Sequence, residues 1–189
     1  NSPHFTPEFL TEFLVNYHKN ALHILDNYSD KGNHLLFEAQ RIIYAGAFFP
    51  EYKDATAWRK SGIDILNREI NVQVYNDGGQ FELDPHYHLA AINIFCKALY
   101  MADANGFRNE FPQSYMDTIE KMIVFYANIC FPDYSNPCFS DAKLGDKPAE
   151  ISNYKNWRKL FPQNEQIKYF ATQGKEGKQP ENLSKAFKT

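Results

Sequence analysis

Long apolar stretches with helical spacing, each closed off by a capping or turn signal, most constrain the fold of this 189-residue chain. The first stretch begins at the Thr6–Pro7 pair, carries Phe9 and Phe13 on one face, and ends near Asp26. Further helices are predicted over about 32–49, 53–74, 84–105 and 112–130, with a weaker one near 151–160. Short connections between consecutive helices favour antiparallel hairpins. The chain is therefore predicted to be all-α, with antiparallel helical hairpins that form an incomplete α/α toroid.

Two segments between and after the helices are predicted to be irregular. The run Asn76–Gly79 is a strong turn signal, and the alternating apolar residues on either side of it would permit a short β-hairpin. From Gln163 onward the chain is rich in glycine and lysine, which is typical of a loop or linker. We therefore expect a helical domain over 1–162 and a linker over 163–189 that leads toward a further domain.

Charge and composition exclude several classes of function. The net charge of −3 gives no overall basic field for nucleic acid, so any recognition of an anion must be local. No apolar run reaches about 18 residues, so the sequence predicts a soluble protein that does not span a membrane. The three cysteines are odd in number and lack close pairing, which argues against a zinc site and against a complete disulfide framework. Neither a metal nor another cofactor is expected in this chain.

Two short polar motifs stand at the starts of predicted helices. Gly32–His34 opens the second helix, and Glu82–His88 opens the fourth. Helix starts favour bound anions because free backbone N–H groups and the positive end of the helix dipole both lie there. Alternate helices of a hairpin array run in the same direction, so these two starts are expected at one end of the domain. The pattern predicts a site for chemistry on an acidic substrate.

Each candidate residue also has an ordinary structural explanation. Asn33 after a glycine would commonly be an N-cap, and Tyr87 would commonly be a half-buried aromatic with its hydroxyl at the surface. His86 and His88 lie two positions apart, which points them in different directions on a helix and disfavours a shared metal site. Lys143 is ordinarily a solvated residue, although near a cleft it could contact a sulfate or a carboxylate.

Three segments resemble signatures of the heparinase II/III superfamily of carbohydrate-active enzymes. Gly32–Gln40 and Asp77–His88 are similar to the two toroid-domain motifs of that superfamily, and Asn136–Ala142 resembles a loop beside its cleft. The 54-residue separation of Asn33 and Tyr87 is close to that of the heparinase III type, polysaccharide lyase family 12. The resemblance covers most of the chain and implies the N-terminal toroid domain of such a lyase.

This resemblance implies β-elimination at a uronic acid. An enzyme of this type removes the proton at C5, next to the carboxylate, and expels the oxygen at C4, which leaves an unsaturated sugar. Asn33 would neutralise the substrate carboxylate through its uncharged amide, with His34 in support. Tyr87 would donate a proton to the leaving oxygen and could also act as the base. Three further residues are predicted to bind the substrate or to support those that do: Glu82, His88 and Lys143.

The resemblance also implies a partner domain and a location. Such lyases carry a further catalytic His and part of the cleft wall on a carboxy-terminal β-sandwich domain. This chain alone is therefore expected to fold, at least partly, but to have little or no activity. The expected substrate is an acidic polysaccharide similar to heparan sulfate, and the expected location is the bacterial periplasm. Neither nucleic acid nor a membrane is expected as a partner.

Two other classes of function stay open at this point. One is a different α/α-toroid carbohydrate enzyme, such as an alginate lyase or an unsaturated glucuronyl hydrolase. A hydrolase would need paired carboxylates, for which Asp77, Glu82 and Asp84 are the available residues. The other class is a non-catalytic helical module that binds a glycan or a protein.

Overall fold

Seven α-helices make up the computed structural model, which describes residues 4–180. The helices are α1 (Pro7–Asp26), α2 (Gly32–Phe48), α3 (Ala55–Gln73), α4 (Pro85–Asn105), α5 (Gln113–Ile129), α6 (Lys147–Leu160) and α7 (Glu165–Ala171). A short 3-10 helix at Arg108–Glu110 follows α4, and no β-strand occurs within the described residues. None of the described helices has both the length and the apolar character needed to cross a membrane. The all-α prediction is confirmed.

Four of the seven described helices, α1, α4, α6 and α7, begin at a residue whose side chain caps them. Thr6 caps α1 and Asp84 caps α4, each through a side-chain oxygen and each followed directly by proline. Asp146 caps α6 by accepting a hydrogen bond from the Ala149 N–H, so this helix begins at Lys147, before the predicted start near 151. Local capping signals therefore set four of the seven helix starts.

Helices α2 and α3 pack closely because glycines lie between them. A Cβ atom added to Gly46 would lie 2.2 Å from the Ala55 carbonyl oxygen, and one added to Gly62 would lie 2.4 Å from the Ala39 carbonyl oxygen. Neither position has room for a side chain. The two backbones approach each other directly, and the buried faces of both helices join one core.

The later helices extend this core around one side of the first pair. Helix α4 packs against α2 and α5, and α6 packs against α7. A hydrogen bond of 3.0 Å from the buried Gln40 Nε2 to the Ile94 carbonyl oxygen joins α2 to α4. Neighbouring helical hairpins thus lie side by side, as expected for part of a toroid.

The predicted turn at Asn76–Gly79 is present, but the β-hairpin around it is reduced to a single bridge. Val74 and Gln80 form this isolated antiparallel bridge, and two backbone hydrogen bonds of 2.8 Å flank it. Helix α3 continues to Gln73 and so includes Val72, which leaves Val74 alone of the first predicted strand.

The segment that begins at 163 differs from its prediction as a plain linker. It forms α7, whose Ile167 and Phe170 side chains are buried in the core. The Phe170 carbonyl oxygen also accepts a hydrogen bond of 3.0 Å from the Tyr134 hydroxyl. The prediction missed α7 because seven residues are too few to establish a helical period. Residues 181–189 lie outside the described part of the chain, and the domain boundary itself stays a prediction.

Candidate active site

The starts of α2 and α4 lie side by side, as the sequence predicts. A Cβ atom built on Gly32 would lie 4.0 Å from Glu82 Oε1. Gln73, at the end of α3, donates hydrogen bonds from Nε2 to the Gly32 carbonyl oxygen at 3.3 Å and to Glu69 Oε2 at 2.9 Å. The end of α3 and the loop before α4 therefore meet at the first residue of α2.

Asn33 and Tyr87 occupy equivalent levels on two helices that run in the same direction. The starts of these helices are adjacent, and further along the Gln40 side chain binds the Ile94 carbonyl oxygen. Gln40 lies seven residues after Asn33, and Ile94 lies seven residues after Tyr87. Seven residues are about two helical turns, which returns a position to the same face. This register places Asn33 and Tyr87 level with each other at one end of the domain.

Asn33 is not the N-cap of α2, so its ordinary structural explanation is wrong. Lys31 holds the N-cap position without a side-chain hydrogen bond, and Asn33 is the second residue of the helix. Its side chain is half-buried and makes no hydrogen bond within residues 4–180. The amide is therefore available to a ligand at a helix start, where an anion is favoured.

Tyr87 is held through its backbone and leaves its hydroxyl unused. Its N–H donates a hydrogen bond of 3.0 Å to Asp84 Oδ1. The side chain is half-buried, the ring lies 6.3 Å from the exposed His86 ring, and the phenol has no hydrogen-bond partner in the described part of the chain. A fixed backbone with an unoccupied phenol suits a residue that exchanges a proton with a bound molecule.

His88 differs from its neighbours because it is buried and both of its ring nitrogens are engaged. Nδ1 lies 3.1 Å from the Gln80 N–H, which donates to it, so Nε2 carries the proton and donates to the Met122 carbonyl oxygen at 2.9 Å. The side chain is 2% exposed. Burial lowers the pKa of His88 to about 4, so the ring is neutral near pH 7. This geometry argues against a direct substrate contact and favours the supporting role considered for His88.

The burial of His88 predicts that the chain loses stability as the pH falls from about 6.5 to about 4. In this window the unfolded chain binds a proton at His88, whose ordinary pKa is 6.5, while the folded chain does not. Stability is therefore fully present above pH 6.5, and the loss amounts to ~3 kcal/mol at pH 4. Urea unfolding at several pH values measures it.

The control for this prediction is His88→Gln, which removes the titrating group but keeps a polar side chain with both a donor and an acceptor. Burial raises the pKa of Glu150, so that carboxyl changes stability with pH in the opposite direction. Glu150 is present in both proteins, so the difference between their unfolding free energies at each pH reports His88 alone. Parallel stability curves for the two proteins between pH 4 and 6.5 would show that the prediction is wrong.

The remaining predicted substrate-binding residues lie on three different segments of the chain. Glu82 is half-buried, and its Oε1 accepts a hydrogen bond of 3.3 Å from Gln80 Nε2. His34 is exposed beside Asn33 on the first turn of α2. Lys143 is exposed on the loop between α5 and α6, the α5–α6 loop (130–146). Their roles in binding stay predictions.

Buried glutamines that position the two motifs were missed from the sequence. Gln40, Gln73 and Gln80 are each 2% exposed or less, and each donates a hydrogen bond that ties the region together. The available signal was a polar side chain within an apolar helical face, as in the run that contains Gln40. Such residues are seldom buried without a partner, so they point to an internal hydrogen bond.

Comparison with known proteins gives a consistent result over nearly the whole chain. The family model for the heparinase II/III N-terminus matches residues 1–169. A heparin-sulfate lyase of Bacteroides stercoris is 78% identical over 98% of the chain, and one of Pedobacter heparinus is 52% identical over 98% of the chain. The chain spans 28% of the length of each of these relatives.

Solved structures show the same helical arrangement. A heparinase III gene product, 79% identical, superposes with a TM-score of 0.85 over 95% of this chain and 28% of its own. The heparan sulfate lyase HepC from Pedobacter heparinus, 51% identical, gives a TM-score of 0.80 over 96% of this chain and 28% of its own. A further heparinase III structure, 30% identical, gives 0.88 over 95% of this chain and 29% of its own. These neighbours confirm the incomplete α/α toroid.

Proposed function

Because this chain belongs to the heparinase II/III family, we propose that it is the N-terminal helical domain of a lyase that cleaves heparan sulfate or a closely similar polysaccharide. The observation that carries the proposal is the pair Asn33 and Tyr87, level with each other at adjacent helix starts and both without a hydrogen-bond partner for the side chain within 4–180. The relatives named heparin-sulfate lyases support the choice of substrate.

The proposed reaction is a β-elimination. The C5–H bond of the uronate breaks when a base takes the proton, the electron pair forms the C4–C5 double bond, and the C4–O bond breaks. Negative charge grows on the carboxylate during proton removal, and the Asn33 amide would stabilise it by donating a hydrogen bond at a helix start. Tyr87 would give its phenolic proton to the departing oxygen. His34, Glu82 and Lys143 would bind the flanking saccharide.

The carboxylates of the site favour a lyase over a hydrolase. Asp84 is 1% exposed and accepts hydrogen bonds from backbone N–H groups. Asp77 accepts one of 3.0 Å from the Gly79 N–H, and Glu82 is bound by Gln80. A glycoside hydrolase needs two carboxyl groups that face the same bond, one of them as an acid. Asp84 cannot be one of them because both of its oxygens are occupied by backbone N–H groups, which leaves Asp77 and Glu82 as the only pair among the three candidates.

The rest of the enzyme is proposed to lie in a second part of the polypeptide. The relatives are more than three times as long as the span that this chain covers in them, and a carboxy-terminal β-sandwich domain would supply the catalytic His and close the cleft. We propose that the 189-residue chain alone has little or no lyase activity. We further propose a periplasmic location, where a polymeric anion is accessible, and a reaction without a cofactor from this chain.

An assay of the complete gene product on a panel of polysaccharides tests this proposal. Heparan sulfate, heparin, alginate and hyaluronan are incubated separately, and the ultraviolet absorbance of the unsaturated uronate is followed. We expect the largest rate with heparan sulfate. Cleavage of alginate alone would favour the other toroid lyase, and binding of heparan sulfate without cleavage would favour a non-catalytic module. A high rate from the 189-residue chain alone would contradict the proposed division of the site.

A further inference from the structure

Asp84 forms more hydrogen bonds than a helix cap requires. Its Oδ1 accepts from the His86 N–H at 2.7 Å and from the Tyr87 N–H at 3.0 Å, which completes the cap of α4. Its Oδ2 accepts a third hydrogen bond of 2.9 Å from the Asp141 N–H on the α5–α6 loop. The carboxylate is 1% exposed. One buried side chain therefore joins the backbone of Tyr87 to a loop 57 residues away.

Both segments that meet at this carboxylate contain an unusual backbone conformation. Leu83, directly before Asp84, has φ 54°, and Ser140, directly before Asp141, has φ 53°. Residues other than glycine seldom adopt this left-handed conformation, because their Cβ atom crowds the backbone. Such conformations persist where surrounding contacts hold them, and they are common at functional sites. The hydrogen bond from the Asp141 N–H to Asp84 Oδ2 joins the two segments at the residues that directly follow Leu83 and Ser140.

The same two segments line one apolar pocket of about 240 Å³. Leu83 and Phe139 line it from the two segments, and both are exposed to solvent, at 64% and 63%. His88 and Phe125 also line the pocket. The α5–α6 loop is therefore seated against the start of α4, with apolar side chains of both segments at the surface.

We propose that Asp84 is a positioning residue of the lyase site, which holds the α5–α6 loop in register with Tyr87 so that Lys143 and the phenol act on the same bound saccharide. Lys143 lies two residues after Asp141 on this loop, and its carbonyl oxygen accepts a hydrogen bond of 3.0 Å from the buried Asn136 Nδ2. The loop backbone is thus fixed at Asp141 and at Lys143 itself. This inference rests on the proposed function and adds a residue to it.

Two substitutions of Asp84 in the complete gene product separate the loop contact from the helix cap. Asp84→Asn keeps an acceptor oxygen for the cap but turns an amide N–H toward the Asp141 N–H, where no hydrogen bond can form. Asp84→Ser keeps a good cap residue whose side chain is too short to reach Asp141 as well, and it serves if the first variant does not fold. The matched control is Thr6→Ala at the exposed cap of α1, a helix-cap substitution outside the two segments that meet at Asp84.

We expect both Asp84 variants to stay folded in thermal melts and to lose about tenfold to hundredfold in kcat/KM on heparan sulfate, while the control stays within about twofold of wild type. A merely structural role would lower Tm and leave kcat and KM of the folded enzyme unchanged. A double-mutant cycle supplies the second measurement. Lys143→Ala is expected to raise KM in wild type but to have little further effect in Asp84→Asn, because the lysine is already displaced.

The two possible failures are distinguishable. A wild-type enzyme that cleaves none of the polysaccharides overturns the proposed function and this inference with it. An active wild type whose folded Asp84 variants keep normal kcat and KM overturns the inference alone, as does an unchanged effect of Lys143→Ala in the Asp84→Asn background.

Discussion

Replacing Tyr87 by Phe in the complete gene product is expected to abolish most of the lyase activity, with kcat reduced by ~10³-fold or more. Removing a general acid typically costs 10²–10⁴-fold, and a residue that serves both as acid and as base would cost more. Stability is expected to stay within ~0.5 kcal/mol of wild type, because the Tyr87 hydroxyl has no hydrogen-bond partner in the described part of the chain. Initial rates on heparan sulfate and a urea unfolding curve measure the two quantities.

Tyr44→Phe is the matched control for this experiment. Tyr44 is also half-buried, lies on α2 well away from its first turn, and has no hydrogen bond from its hydroxyl to any described residue. Removal of the Tyr44 hydroxyl should leave the lyase rate within about twofold of wild type. A Tyr87→Phe enzyme with a normal rate would remove the phenol from the mechanism and would reopen the carboxylate-based alternative.

The second large effect is expected at Asn33. Asn33→Ala should lower kcat by ~10²–10³-fold, the range seen when one donor to a developing anion is removed. The loss should appear mainly in kcat, because charge accumulates on the uronate only as the C5 proton leaves. Asn33→Asp should be at least as inactive, since its carboxylate would repel that of the substrate. Steady-state kinetics over a range of substrate concentrations separates kcat from KM.

A matched change on the exposed face of α1, Asn16→Asp, adds the same charge away from the site and should change neither parameter by more than about twofold. His34→Ala provides a second comparison, since an exposed neighbour in a supporting role should matter less than Asn33. An Asn33→Asp enzyme that retains the wild-type kcat would show that this side chain does not face the substrate carboxylate.

Local signals were sufficient for most of the fold. Thr6, Asp84 and Gly106 mark helix ends through contacts within a few residues, and such contacts can be recognised in a sequence. Helix α7 is too short to show a helical period, and its burial depends on Phe170 packing with distant residues such as Tyr134, 36 positions away. Periodicity describes one face of one helix, so it cannot show which other element covers a short segment.

The candidate site was predictable in its residues and less so in its environment. The two motifs and their expected meeting point came from residue types and chain direction, and Asn33 and Tyr87 were assigned through family resemblance. The sequence did not show that His88 is buried, or that the second oxygen of Asp84 binds a backbone N–H on a distant loop. Neighbouring side chains in a motif look alike in sequence, whereas their exposure is decided by helix rotation and by the loops packed over them.

The hydrogen bond between Gln40 and Ile94 aligns α2 with α4 directly. The alignment of the proposed catalytic groups therefore does not depend on the length of the chain that connects the two helices. Residues added between Asn76 and Asp77, the exposed part of the turn, would leave this alignment intact. One residue inserted in α4 between Tyr87 and Ile94 would instead turn the phenol by about 100° around the helix axis. Evolution of this site is therefore expected to tolerate changes in the turn and to forbid insertions or deletions in the first two turns of α2 and α4.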